Sequence, residues 1–111
     1  MEVRQITEDF AVAPQISVEH VRPIAEAGFK SLICNRPDTE DGAVGHALIQ
    51  AAAKEAGLTF RFIPVVSGAI TRDNVEAMGA ALDDLPRPVL AYCRSGARCQ
   101  NLFMLVQQMR G

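Results

Sequence analysis

Short apolar runs, too brief for helices, alternate along this chain with longer segments of helical period, and that alternation leaves few architectures open. Residues 3–6 and 10–13 flank Thr7-Glu8-Asp9 and suit an opening β-hairpin closed by Pro14. Residues 29–34 and 89–92 are apolar stretches bounded by Gly, Pro or polar clusters, as buried strands are, and residues 60–66 form another with Pro64 near its end. Between them lie four helical patterns. Ser17 caps Val18, Val21, Ile24 and Ala25 ahead of Gly28, with Pro23 late enough to predict a start near Pro23 or a kink. Residues 43–56 are alanine-rich and end at Gly57. Thr71 caps a segment that runs to Leu85, and residues 98–109 form the last. The order hairpin, α, β, α, β, α, β, α predicts a three-layer αβα fold: a mostly parallel sheet of four or five strands with helices on both faces.

Bulk properties limit the partners. At 111 residues and 49 % hydrophobic content, residues 1–111 form one domain with a genuine core. The net charge of −2 comes from interspersed acids and bases without a basic run, which argues against nucleic acid and anionic membranes and for a small molecule or protein as substrate. The opening MEVRQITEDF lacks a signal-peptide apolar stretch, and no segment approaches the ~20 apolar residues of a membrane span, so a cytoplasmic location is expected. Three cysteines, Cys34, Cys93 and Cys99, are an odd number in an ordinary composition and read as free thiols.

The segment Cys93-Arg94-Ser95-Gly96-Ala97-Arg98 lies where the last strand gives way to the last helix. In open α/β sheets that junction carries ligands, because the helix N-terminus presents unpaired N–H groups there. Ser95, Gly96 and Ala97 can curl so that successive amides converge on one anion, with Gly96 supplying the freedom the curl needs. The same amides and the Arg98 guanidinium favour thiolate over thiol at Cys93, which makes it a nucleophile. Arg98 can place two parallel hydrogen bonds on an oxyanion, and Arg94 on the rim can steer an anionic substrate.

Other residues carry weaker signals. Arg36 and Asp38 follow the third strand on the same sheet edge as Cys93 and either shape the pocket or pair with each other; Ser67 and Gly68 can line its opposite wall. Cys34 reads as a core cysteine. His20 and His46 have no second ligand at metal-binding spacing, so neither metal nor cofactor is expected.

With these residues in view, the chain resembles the cysteine-dependent phosphatase fold, specifically the small bacterial family of dual-specificity-phosphatase-like, β-lactamase-hydrolase-like domains. The stretches Ala13-Pro14-Gln15-Ile16, Asn35-Arg36-Pro37-Asp38, Phe62-Ile63-Pro64-Val65 and Cys93 to Arg98 carry the likeness. It implies Cys93 and Arg98 as catalytic residues, with Arg94, Ser95, Gly96, Ala97, Cys99, Arg36 and Ser67 around the substrate. It also implies fusion or coupling to a persulfide dioxygenase or metallo-β-lactamase-like protein. Phosphatase loops of this kind place serine or threonine after the arginine to hydrogen-bond the nucleophile; Cys99 stands there, able to do so weakly, to form a disulfide with Cys93, or simply to pack.

Two departures from the phosphatase pattern favour sulfur chemistry. Four residues separate Cys93 from Arg98, the spacing of rhodanese sulfurtransferases, where phosphatases have five. The loop Val66-Ser67-Gly68-Ala69-Ile70-Thr71 holds no carboxylate to protonate a leaving oxygen, and Asp73 is better explained by the helix dipole. The leading expectation is therefore a sulfurtransferase that moves sulfane sulfur from thiosulfate or a persulfide, through a Cys93 persulfide, to a thiol, sulfite or cyanide. The alternatives are a phosphatase acting through phosphocysteine and a non-catalytic module that senses anions or redox state.

Overall fold

The computed structural model describes residues 2–111. Its order is β1 (Arg4–Thr7), β2 (Phe10–Ala13), α1 (Val18–Glu26), β3 (Ser31–Cys34), α2 (His46–Glu55), β4 (Thr59–Phe62), α3 (Arg72–Asp84), β5 (Val89–Tyr92) and α4 (Ala97–Arg110). The sheet runs β1-β2-β5-β3-β4; β1 is antiparallel to β2 and all other pairings are parallel. β5 lies in the middle, and all its residues are buried, as are those of β2 and β3. That is why these strands read as unbroken apolar runs rather than alternating ones.

Two cores cover the sheet. On one face Phe10, Val12, Ile33, Val89 and Ala91 meet α3 and α4 through Val75, Met78, Leu102 and Val106, and Phe10 stacks on Phe103 at 4.4 Å. On the other, Ala11, Leu32, Leu90 and Tyr92 meet α1 and α2 through Val21, Ile24, Ile49 and Ala53. Each fully buried large apolar side chain stabilises by roughly 1.5–3 kcal/mol. The covering of both faces leaves the C-terminal edge of the parallel strands as the place where polar loops meet. No helix among the described residues is long and apolar enough to cross a membrane.

Local departures from the sequence expectations have local causes. α1 starts at Val18 and runs through Pro23, because Ser17 and His20 close a capping box and the carbonyl that Pro23 leaves unpaired belongs to the exposed Glu19. α2 starts at His46 rather than 43, since Asp38 accepts the His46 N–H at 2.9 Å and keeps the preceding residues in the loop. β4 ends at Phe62; beyond it the N–H groups of Ile63 and Val65 bind Cys34 and Asn35 carbonyls on either side of Pro64, which has none to give. Thr71 caps α3 as expected, accepting the Asn74 N–H at 3.1 Å.

Candidate active site

β5 delivers Cys93 to the C-terminal edge of the sheet, and its N–H is held by the Ala13 carbonyl at 3.3 Å. The chain then turns through Arg94 and Ser95 to Gly96, the N-cap of α4, whose φ of +95° is left-handed. A Cβ at Gly96 would stand in ordinary contact with the Ala13 backbone at 3.5 Å, so it is the left-handed φ, and not lack of space, that calls for glycine. The result aims the Gly96 N–H at Cys93 Sγ, 3.1 Å away.

Cys93 is only 1 % exposed and belongs to the apolar core on the α3–α4 face, yet it forms part of the wall of a cleft of about 690 Å³. Its thiol is held down at about 5, against an ordinary 9.0. The Cys99 thiol lowers it most, burial opposes, and the N–H groups of Cys99, Gly96 and Ser95 add to the lowering. A thiol of that acidity is ionised at neutral pH and is a competent nucleophile. This corrects two expectations. Arg98 is not among the leading causes of the Cys93 acidity, and the Ala97 N–H does not join the converging amides, because it bonds Ser95 Oγ at 3.3 Å. Cys99 itself is fully buried and outside the cleft lining, so it touches no substrate: its influence on Cys93 is electrostatic, a neighbouring thiol that favours the thiolate. Burial raises its own pKa, which keeps it protonated and able to donate.

Arg98 is fixed from three sides. Its Nη1 donates to the Val65 carbonyl at 2.9 Å and the Asn35 carbonyl at 3.4 Å, and it forms an ion pair with Glu40 at 3.0 Å. Its Nε–H is buried and has no partner among the described residues. Buried donors without an acceptor are rare enough to require an explanation, and in an arginine lining an anion-suited cleft the natural acceptor is a ligand oxygen. Arg36, 5 % exposed, pairs with Glu40 at 3.0 Å and donates to Gln15 Oε1 and the Asp41 carbonyl, so it shapes the wall by pinning its loop. It does not pair with Asp38, whose carboxylate holds His46 at 2.7 Å while His46 stacks on Phe62. Arg94 and Ser95 are exposed on the rim, and Ala97, Ser67 and Gly68 also line the cleft.

Sequence reasoning missed Glu40 and Asp41. Both line the cleft from the loop after β3. Glu40 is partly buried, and Arg98 and Arg36 hold its carboxyl below the usual range. Asp41 is exposed, and its carboxylate makes no ion pair among the described residues. The acidic run Asp38-Thr39-Glu40-Asp41 was the available signal.

Comparison with known proteins places this geometry among phosphatase-like domains. Residues 2–110 match the family described as "Beta-lactamase hydrolase-like protein, phosphatase-like domain". A beta-lactamase hydrolase-like protein of Xylella fastidiosa is 33 % identical over the whole chain, which spans only 26 % of that relative's length. The crystal structure of a candidate phosphatase from Neisseria meningitidis is similar over the whole chain and 80 % of its own, with 34 % identity and a TM-score of 0.89. The core catalytic domain of a yeast PP-IP phosphatase shares the fold at 14 % identity and a TM-score of 0.63, over 85 % of this chain and 56 % of that one. These likenesses point to a three-layer cysteine-phosphatase-like fold with a five-stranded sheet, and none of them speaks for sulfur transfer.

Proposed function

The chain belongs to the family of phosphatase-like domains of beta-lactamase hydrolase-like proteins, and from that premise we propose that it is a cysteine-dependent phosphatase acting through a Cys93 phosphocysteine. The observation that carries this reading is the acidified Cys93 thiol at the wall of a cleft whose buried Arg98 Nε–H lacks an acceptor. A phosphate monoester enters with its oxygens toward the Ser95 and Gly96 amides and Arg98. The thiolate attacks phosphorus, an S–P bond forms, and the P–O bond to the leaving group breaks. Asp41 is the candidate donor of the proton to that oxygen: of the two cleft carboxylates it is the one without an ion pair among the described residues, whereas Glu40 is committed to fixing Arg98 and Arg36. Water then attacks phosphorus, releasing inorganic phosphate and the Cys93 thiolate.

The test is steady-state hydrolysis of aryl phosphates together with intact mass under rapid quench. The expected result is phosphate release lost in Cys93→Ser, a phosphoryl adduct on Cys93, and an Asp41→Asn defect that grows with the pKa of the leaving alcohol. No turnover of any aryl phosphate and no adduct overturns the reading.

One observation keeps sulfur transfer as a second reading: the four-residue interval from Cys93 to Arg98, which gathers the amides around a smaller volume than a five-residue one. In that reaction the thiolate takes the sulfane sulfur of thiosulfate or a persulfide, sulfite or a thiol leaves as an anion, and no acid is needed. A partnering persulfide dioxygenase or metallo-β-lactamase-like protein fits this reading. A mass gain of one sulfur on Cys93 after thiosulfate or glutathione persulfide, without phosphate release from esters, replaces the first reading with the second.

A further inference from the structure

A second cleft, of about 700 Å³, lies against the first and shares Arg94 and Ser95 with it. Its remaining wall comes from the hairpin: Arg4 on β1, Val12 and Ala13 on β2, and Pro14. β1 is the exposed edge strand, and pairing Arg4 with Val12 brings its side chain to the active-site loop. Arg4 Nη2 lies 3.6 Å from where a Cβ on Gly96 would stand, beside the residue whose N–H holds the nucleophile. The loop's second arginine is anchored on the same side, since the Arg94 carbonyl accepts the Gln15 N–H at 3.2 Å.

These two guanidiniums differ from those of the first cleft. Arg36 and Arg98 are tied to Glu40 and to backbone carbonyls, and their charge is locally balanced. Among the described residues neither Arg4 nor Arg94 has a carboxylate within 4.0 Å, although Glu2 also lines the second cleft. Two unbalanced arginines beside a single acid, in a concavity continuous with a phosphate-suited one, make a surface for a second anion.

We propose that Arg4 and Arg94 form a second phosphate subsite, so that the preferred substrate is a small molecule with two phosphates, one at Cys93 and one between the two arginines. This rests on the hydrolytic reading of Cys93. Arginine rather than lysine suits the task, because its fork meets two phosphate oxygens at once.

The experiment is calorimetric binding of inorganic phosphate and of a series of methylene-spaced bisphosphonates at one fixed ionic strength, to the wild-type chain, Arg4→Gln and Arg4→Gln/Arg94→Gln. Phenyl phosphate hydrolysis is measured alongside. One spacer length is expected to bind about tenfold or more tighter than phosphate, the effect of one or two charge-assisted hydrogen bonds. The ratio of the two affinities is expected to fall toward one in the variants. Equal affinity for phosphate and every bisphosphonate, or a preference that survives in Arg4→Gln/Arg94→Gln, overturns the subsite. If phenyl phosphate is hydrolysed in that case, the Cys93 reading stands without it. If neither anion binds and no ester is turned over, both fall together.

Discussion

Cys34 and Cys93 leave neighbouring parallel strands at the same edge of the sheet, one residue out of step, since Cys34 pairs with Tyr92. Both are 1 % exposed. Their chemistry is nevertheless opposite: burial raises the Cys34 thiol, whereas Cys93 is brought down to about 5. The alternation of a strand puts them on opposite sheet faces, Cys34 with α1 and α2 and Cys93 with α3 and α4. The turn that leaves each strand then sets the thiol's chemistry. After β3 the chain returns a carbonyl, and Cys34 Sγ donates to Arg36 at 3.4 Å. After β5 it turns into a helix and offers N–H groups, and Cys93 Sγ accepts. Hydrogen bonds lower both thiols: at Cys34 those with Tyr92 and Arg36 do not overcome burial, whereas at Cys93 the donors from Cys99, Gly96 and Ser95 do.

The sharpest way to break this contrast is to exchange the cysteines' fates. Cys93→Ser is expected to lower turnover by ~10⁴-fold or more, as loss of a covalent nucleophile does, while Cys34→Ala leaves it within about 2-fold, since that thiol faces the other core. Equal losses in steady-state assays would place both thiols in the reaction.

A smaller effect is expected at the charge that holds the opposite wall. Glu40→Gln leaves Arg98 and Arg36 without their shared carboxylate and should cost about 1–3 kcal/mol of stability, read from the denaturant midpoint, because hydrogen bonds to charged groups are lost from a partly buried site. Wild-type stability from this pair is present above the ordinary Glu pKa and is lost as pH falls through the lowered folded value, so the gap between the two proteins should close in acid.

Cys99 tests the donor argument directly. Alkylation of Cys93 by iodoacetamide against pH should show a midpoint near 5 in the wild type. Cys99→Ala should move that midpoint upward and slow reaction about tenfold around pH 6, and Cys99→Ser, which keeps a donor, should restore most of it. A purely packing role predicts no movement of the midpoint.

A last test concerns stability and pH. Because the folded Cys93 pKa is depressed, its contribution is absent below about pH 5, grows as pH rises, and is complete only above the ordinary 9.0. Stability of the wild type relative to Cys93→Ala should therefore climb between those limits, and a flat difference would remove the thiolate from the folded state.

The element order, the hairpin, the parallel sheet and the position of Cys93 ahead of a helix were legible in the sequence, because apolar period and capping are local properties: Thr71 with Asn74, Gly96 before α4, the buried runs of β2, β3 and β5. Local pattern could not supply partnership. That Arg98 answers to Glu40, Val65 and Asn35, that Arg36 takes Glu40 rather than Asp38, that Cys99 acidifies Cys93, and that Arg4 arrives beside Gly96 from the far edge strand all depend on side chains and segments meeting at one sheet edge, most of them tens of residues apart. The chain's residue types and periods determined which fold could form and where its reactive sulfur would stand. Only the tertiary packing decided which donors face that sulfur and which carboxylates face the arginines, since hydrogen bonds and charges act over a few ångströms in space and take no account of distance along the chain.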